Sequence, residues 1–310
     1  MEAKSIPGLR EAPVGVLPAE GIGREALKGA LRDYLALTKP RITALVLASA
    51  AAGFLLGGTT FDLSLFLHAM AGVALVAAGT SAMNQVLERD VDALMVRTRS
   101  RPLPAGRMNT LPAAVFSGFL AAAGIIWLAI SVNLITAMLA AATFISYDFV
   151  YTPLKRVSSL STVVGAVPGA LPILGGWTAA TGQFDPGGWA LFGILFVWQL
   201  PHFLALAWLL RDDYGSAGLR MLSVGDAEGL QTRRQTVLYT LTLIPVSLMP
   251  SVLGLTGPLY FAAALLLGAA FLWTALQFGR KASAATARRL FRASILYLPL
   301  LMAILVVDKV

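Results

Sequence analysis

From Ile42 to Val307 the chain is a succession of long apolar runs separated by short polar segments. The runs are about 17–25 residues each, the length an α-helix needs to cross the hydrocarbon of a bilayer. Backbone N–H and C=O groups find no water there, so a chain of such runs must satisfy them within helices. The expected fold is therefore all-α, a polytopic membrane bundle of nine transmembrane helices. The spans are expected near 42–58, 63–84, 111–130, 133–150, 161–180, 188–210, 236–254, 258–278 and 290–307. Composition agrees, with 57% hydrophobic and 13% charged residues and a mean hydropathy of +0.75; no ordinary soluble domain looks like this.

Basic residues orient the bundle. With the N-terminus placed in the cytoplasm, 23 of the 24 Lys and Arg fall on the cytoplasmic side, and only Lys309 lies outside. The positive-inside rule thus predicts a cytoplasmic N-terminus and an external C-terminus. It also accounts for the formal charge of +8 without invoking nucleic acid. Loops on the external side are short, whereas those after the second and sixth spans are long and polar. An active site is therefore expected on the cytoplasmic side. There is no cysteine, which excludes disulfides, thiol catalysis, Fe–S clusters and Cys-ligated zinc.

Residues 1–31 differ from the rest. Pro7, Pro13 and Pro18 interrupt a segment with no apolar core, so it reads as a flexible cytoplasmic tail rather than a signal peptide. Residues 32–310 form the membrane domain. From Arg24, Leu27, Leu31 and Leu35 share one side of a helical pattern that leads along the bilayer surface to Thr38-Lys39-Pro40-Arg41. Gly53 and Gly57, like Gly165 and Gly169, have the spacing of close helix packing, and Pro168 and Pro172 predict a kink in the fifth span.

Chemistry concentrates in Asn84–Arg107, with three acids and five arginines in an otherwise apolar chain. Asn84, Glu88 and Asp92 recur at i, i+4 and i+8, along one side of a continuous helix, with Asp90 facing away. Paired carboxylates suit Mg²⁺, a hard cation that shares its coordination with substrate phosphates. Guanidinium groups such as Arg97 and Arg101 clamp phosphate oxygens through parallel hydrogen bonds. The bland alternative is a solvated charged loop. Against it, the acids begin at the end of a span, where ionisable groups are expensive and default to functional candidates. Two further polar helix ends lie on the same side. Tyr147-Asp148-Phe149-Val150-Tyr151-Thr152-Pro153-Leu154-Lys155-Arg156 closes the fourth span. Arg211-Asp212-Asp213-Tyr214 closes the sixth, which also carries Pro201-His202-Phe203. No Walker loop or dinucleotide fingerprint is present.

Asn84-x3-Glu88-x3-Asp92, Arg101-Pro-Leu-Pro-Ala-Gly-Arg107, Tyr151-Thr-Pro-Leu-Lys155-Arg156 and the acidic loop after the sixth span together resemble the intramembrane aromatic prenyltransferase superfamily. Leu37-Thr38-Lys39-Pro40-Arg41, the segment Glu88–Met95, Pro201-His202-Phe203 and Asp212-Asp213-Tyr-x3-Gly-x2-Met221-Leu222 resemble its heme O synthases. The resemblance runs from about Asp33 to the C-terminus. It implies a nine-helix enzyme of the bacterial inner membrane that transfers farnesyl from farnesyl diphosphate to a vinyl group of protoheme IX (heme b), with Mg²⁺ as cofactor. A heme A synthase is an implied partner. Position by position, Asn84, Glu88 and Asp92 match the first metal–diphosphate motif, and Arg97, Arg101, Lys155 and Arg156 its basic partners. Lys155 and the first motif are the implied catalytic groups. Asp212 and Asp213 match the region of the second acidic motif, although the usual Asp-x3-Asp pairing is missing and either could be the ligand. Glu88 also stands where the superfamily commonly has Asp. His202 is the candidate for binding the acceptor porphyrin. Two rival readings are a prenyltransferase with a quinone-type aromatic acceptor and a secondary transporter. The transporter should show inverted repeats meeting at the midplane, and the sequence has no convincing repeat.

Overall fold

The computed structural model describes residues 19–310. The expected tail of residues 1–18 lies outside the described residues. Among those described there are nine helices long and apolar enough to cross a membrane: Pro40–Gly57, Leu63–Leu87, Thr110–Ser131, Leu134–Leu154, Ser161–Thr181, Pro186–Leu209, Leu230–Val252, Pro258–Arg280 and Ala284–Val307. They are called spans one to nine. The chain is an all-α, multi-pass membrane protein. Helix α1 (Ala19–Leu37) precedes them, so the last part of the segment read as tail is helical. Leu27, Leu31 and Leu35 lie exposed along α1, as an interfacial helix requires.

Where spans and expectation differ, charge is the reason. Spans seven and nine begin at Leu230 and Ala284, about one and a half turns before the apolar runs. Arg233, Arg234, Arg288 and Arg289 lie on those added turns. Hydropathy locates the hydrocarbon; hydrogen bonding locates the helix end, which continues into the interface.

Spans five and six are the most buried, 67% and 61% of their apolar windows against 22–33% in the others. The rest surround them and turn residues such as Phe119, Ile130 and Leu266 outward, where lipid covers them. Helix association in lipid depends on close packing rather than hydrophobic burial, and glycines supply it. A Cβ at Gly53 would collide with the Ile173 carbonyl, and one at Gly176 with the Ala50 carbonyl, so spans one and five meet backbone to backbone. Spans two and three do the same through Gly79 and Gly124, whose added Cβ atoms would lie 2.7 Å from Ala121 N and 2.8 Å from Gly72 O. Pro168 and Pro172 sit inside span five, which stays helical from Ser161 to Thr181.

Spans six to nine share a core with Leu243, Tyr260, Phe271, Phe278 and Tyr297. Its polar atoms are satisfied internally: Tyr260 donates to the Ser247 carbonyl at 2.7 Å, and Tyr297 and Ser247 hydroxyls pair at 2.8 Å. On the face opposite the basic loops, Lys309 donates to the Leu55 carbonyl (3.0 Å) and to that of Gly58, capping the end of span one.

Two irregularities position the site. Span four leaves α-geometry for a π segment over Ser146–Tyr151, a feature that recurs at functional sites. Span two ends at Leu87. Glu88 (φ −97°, ψ 6°) separates it from a short helix, Arg89–Leu94.

Candidate active site

The break at Glu88 corrects the expectation of one continuous helix carrying Asn84, Glu88 and Asp92. The i+4 bonds nevertheless persist across it: Glu88 N donates to Asn84 O at 2.9 Å, and Asp92 N to Glu88 O at 2.7 Å. All three side chains therefore still face one cavity, whose walls include Asn84, Glu88, Asp92, Lys155 and Arg101. Asp90 faces out and pairs with Arg89 at 3.0 Å.

Each member of the triad has its own cation, and each cation comes from a different segment. Lys39, ahead of span one, donates to Asn84 Oδ1 at 2.7 Å. Lys155, after span four, donates to Glu88 Oε1 at 2.8 Å. Arg101, in the loop after the short helix, donates to Asp92 Oδ2 at 2.6 Å. Asn84 Nδ2 links the set by donating to Glu88 Oε2 (2.9 Å) and Thr152 Oγ1 (3.2 Å). Asn84, Glu88 and Asp92 are all buried.

Burial alone would raise the Glu88 pKa, but Lys155, with Lys39 and the Asn84 amide, outweighs it and holds the carboxyl below the usual range. Burial likewise opposes the charge on Lys155, yet Tyr151 and Glu88 push its ammonium up. Its Nζ lies 4.4 Å over the centre of the Tyr151 ring, a cation–π contact. Lys39 goes the other way: burial, then the neighbouring Arg101, lowers it to about 8. Its backbone is left-handed (φ 46°), alone among the described non-glycine residues, and it precedes a proline, which disfavours helical geometry. Strain of this kind persists where the surroundings enforce it. Here Gln85 Nε2 holds the preceding turn by donating to Leu37 O at 2.8 Å.

The other candidates divide. Arg97 lines the cavity. Arg156 does not; its guanidinium donates to the Leu87 carbonyl at 3.1 Å and caps span two. Neither Asp212 nor Asp213 is part of the lining. Asp212 is fully exposed and lies 3.6 Å from Arg211, and Asp213 accepts the Val96 N–H at 3.1 Å. The loop after span six instead contributes Tyr214, Leu219 and Met221. His202 is also elsewhere, facing span nine. Its ring stacks between Trp198 (4.9 Å) and Phe291 (4.7 Å), and Nδ1 lies 2.7 Å from Ser294 Oγ. Sequence reasoning missed Lys39, Tyr147 and Tyr214 as wall residues. Each lies in a segment singled out for other residues: Lys39 in Leu37–Arg41, Tyr147 at the end of span four and Tyr214 at the end of span six.

Below the polar cavity lies an apolar one among spans one, two, four and five, lined by groups such as Val46, Val76, Leu139 and Leu171. Ile42 and Tyr147 line both. A charged head in the upper cavity can thus continue into an apolar tail in the lower one. Pro168 and Pro172 line the lower cavity.

The nine-span bundle has known counterparts. The model of the UbiA prenyltransferase family matches residues 45–301. The chain belongs to the UbiA prenyltransferase family. It is an enzyme, a prenyltransferase of the membrane. A relative from Solibacter usitatus, named protoheme IX farnesyltransferase, is 44% identical over 90% of this chain and 99% of its own length. Among solved structures, a digeranylgeranylglyceryl phosphate synthase superposes with a TM-score of 0.76 at 16% identity, covering 90% of this chain and 98% of the other. A UbiA homolog from Archaeoglobus fulgidus bound to DMAPP and Mg²⁺ superposes with a TM-score of 0.65 at 17% identity, covering 88% and 99%. These two likenesses establish the fold.

Proposed function

We propose that the enzyme transfers a farnesyl group from farnesyl diphosphate to a vinyl group of protoheme IX, giving heme O. The observation that carries this reading is the pairing of Asn84, Glu88 and Asp92 with Lys39, Lys155 and Arg101 directly over the apolar cavity. The acceptor is inferred from the name of the Solibacter usitatus relative.

The donor set suits Mg²⁺. Among the described residues, no three His, Cys, Asp or Glu side chains cluster to hold a metal unaided. Two carboxylates and an amide oxygen leave positions for phosphate oxygens, the arrangement Mg²⁺ favours. Asn84, Glu88 and Asp92 would hold it, and the ion would neutralise charge on the departing diphosphate. The bound DMAPP and Mg²⁺ of the Archaeoglobus fulgidus homolog support Mg²⁺ as the ion. Asp212 and Asp213 are not among the groups that line the polar cavity.

The protein's own groups do the rest. Lys39, Lys155, Arg97 and Arg101 supply fixed positive charge where the diphosphate gains negative charge as the allylic C–O bond breaks. The electron pair of that bond leaves with the diphosphate, and the vinyl π pair forms the new C–C bond. Water then adds its hydroxyl to the porphyrin-side cation and releases a proton to solvent. Tyr147 and Tyr151 line the cavity, and aromatic rings there can stabilise a passing cation, while the apolar walls below keep water from the allylic carbon. The basic loops support a cytoplasmic placement of the site and an inner-membrane location.

The test is to incubate the purified protein with protoheme, farnesyl diphosphate and Mg²⁺ and weigh the porphyrin. A mass gain equal to farnesyl plus hydroxyl supports the reading. Unchanged protoheme, with a quinone-type aromatic prenylated instead, overturns it.

A further inference from the structure

A further cavity, about 550 Å³, adjoins the polar one and has no role in the chemistry described above. Helix α1, Gln85 of span two and the loop through Ser100–Arg107 enclose it. Lys39 and Arg101 line both cavities, so one layer of cationic side chains divides them. Arg32, Lys39, Arg101 and Arg107 face a single acid in this second lining, Asp33.

Two of these cations are already committed. Arg107 donates Nε to the Asp33 carboxylate at 3.2 and 3.3 Å, and both Nη atoms to the Ser100 carbonyl at 3.2 Å. This fastens α1 to the loop and cancels one charge of each sign. Arg101 is paired with Asp92. Among the described residues, the Lys39 ammonium has only the neutral Asn84 amide as hydrogen-bond partner, and no carboxylate pairs with Arg32. The cavity therefore carries a surplus of positive charge suited to a carboxylate or phosphate group.

Its position narrows the ligand. The exposed leucines of α1 mark the bilayer surface, so the cavity opens where an amphiphile keeps its charged edge. Protoheme has that form, with both vinyl groups along one edge and two propionate carboxylates along the opposite edge. We propose that this cavity binds the propionates of the acceptor. The ring leans across the Lys39–Arg101 divide, and its vinyl edge is presented to the prenyl diphosphate. The proposal rests on the protoheme reading. An anionic phospholipid headgroup has the same charge chemistry, and the experiment separates the two.

Protoheme and its propionate dimethyl ester are titrated into the purified full-length chain in neutral detergent, without prenyl diphosphate, and binding is followed by porphyrin absorbance. Wild type should bind the diacid about tenfold more tightly than the diester. Arg32→Gln should remove most of that advantage by weakening diacid binding alone, and should leave the KM for prenyl diphosphate at its wild-type value. Equal wild-type affinity for the two porphyrins overturns the proposal, as does an equal loss for both in the variant. The titration is repeated in phosphatidylcholine vesicles with and without phosphatidylglycerol. The Arg32→Gln loss should be the same in both; a loss confined to the anionic vesicles assigns the cavity to a headgroup and overturns the proposal. If wild type binds and prenylates both porphyrins equally, this proposal alone fails. If it binds and prenylates neither, the protoheme reading fails with it.

Discussion

Lys155 and Glu88, 67 residues apart in sequence, meet at 2.8 Å with side chains only 13% and 11% exposed. Removing one partner of such a pair leaves the other buried and uncompensated, at a cost of about 3–5 kcal/mol. Glu88→Gln and Lys155→Met should each lower the melting temperature, and each should abolish turnover. The double variant should recover most of the stability but none of the activity. A double variant no more stable than either single one would show that the pair does not act as a unit.

The same carboxyl predicts a pH dependence. Its folded pKa lies below the ordinary 4.5, so its contribution to stability is fully present above that value. That contribution is lost as pH falls through the lowered pKa. Thermal stability in detergent should be flat above about pH 5 with respect to this group and decline in acid. In Glu88→Gln the decline should be shallower.

Asp92 carries one of the two carboxylates proposed for Mg²⁺. Asp92→Asn should reduce turnover at saturating Mg²⁺ by at least ~100-fold, while chelation should abolish wild-type activity until Mg²⁺ is restored. Normal Mg²⁺-dependent turnover in Asp92→Asn would remove this residue from the metal site.

Among the described residues Lys39 has no acidic hydrogen-bond partner, and its amine is lowered to about 8. It should acylate faster near pH 8 than surface lysines, which stay protonated to about 10.4. Prenyl diphosphate should protect it. Lys39→Met should raise the KM for prenyl diphosphate about 10-fold or more. An unchanged KM and no protection would place Lys39 outside the diphosphate site.

Gly53 faces the backbone of span five. Gly53→Leu should separate the two helices and lower both yield and melting temperature, whereas Gly118→Ala, which meets nothing within 4 Å, should be tolerated. Helix propensity alone gives that alanine about 1 kcal/mol in its favour. Comparable losses in both variants would mean that close packing is not what Gly53 provides.

The spans were legible because hydrocarbon thickness imposes a length, and a length can be read from sequence. Asn84, Glu88 and Asp92 were legible because a period of four survives the interruption at Glu88 through the two backbone bonds that cross it. The placement of Asp212 and Asp213 was not legible, for the opposite reason. Adjacent residues on a short helix point in different directions, so acidity there says nothing about which side chain reaches the cavity. One acid reaches a backbone N–H, the other reaches solvent, and Tyr214 reaches the site. Lys39 gave little warning, because a left-handed backbone at a lysine depends on the turn that Gln85 holds from another helix. His202 looked chemical as a histidine in a span, but its neighbours Trp198, Phe291 and Ser294 come partly from a helix about ninety residues away, a distance no local pattern reports.

The π segment at Ser146–Tyr151 amounts to one surplus residue in the fourth span. Deleting one residue there would restore an ordinary helix without turning what lies beyond it, because the wide turn would close to an ordinary one between the same ends. Thr152 and Lys155 would stay beside Asn84 and Glu88, while the turn that carries Tyr147 and Tyr151 would narrow. Such a chain would have the same number of membrane crossings and nearly the same hydropathy profile. Its change would be confined to one wall of the polar cavity, so length variation in this segment reshapes the site without moving the ion pairs around it.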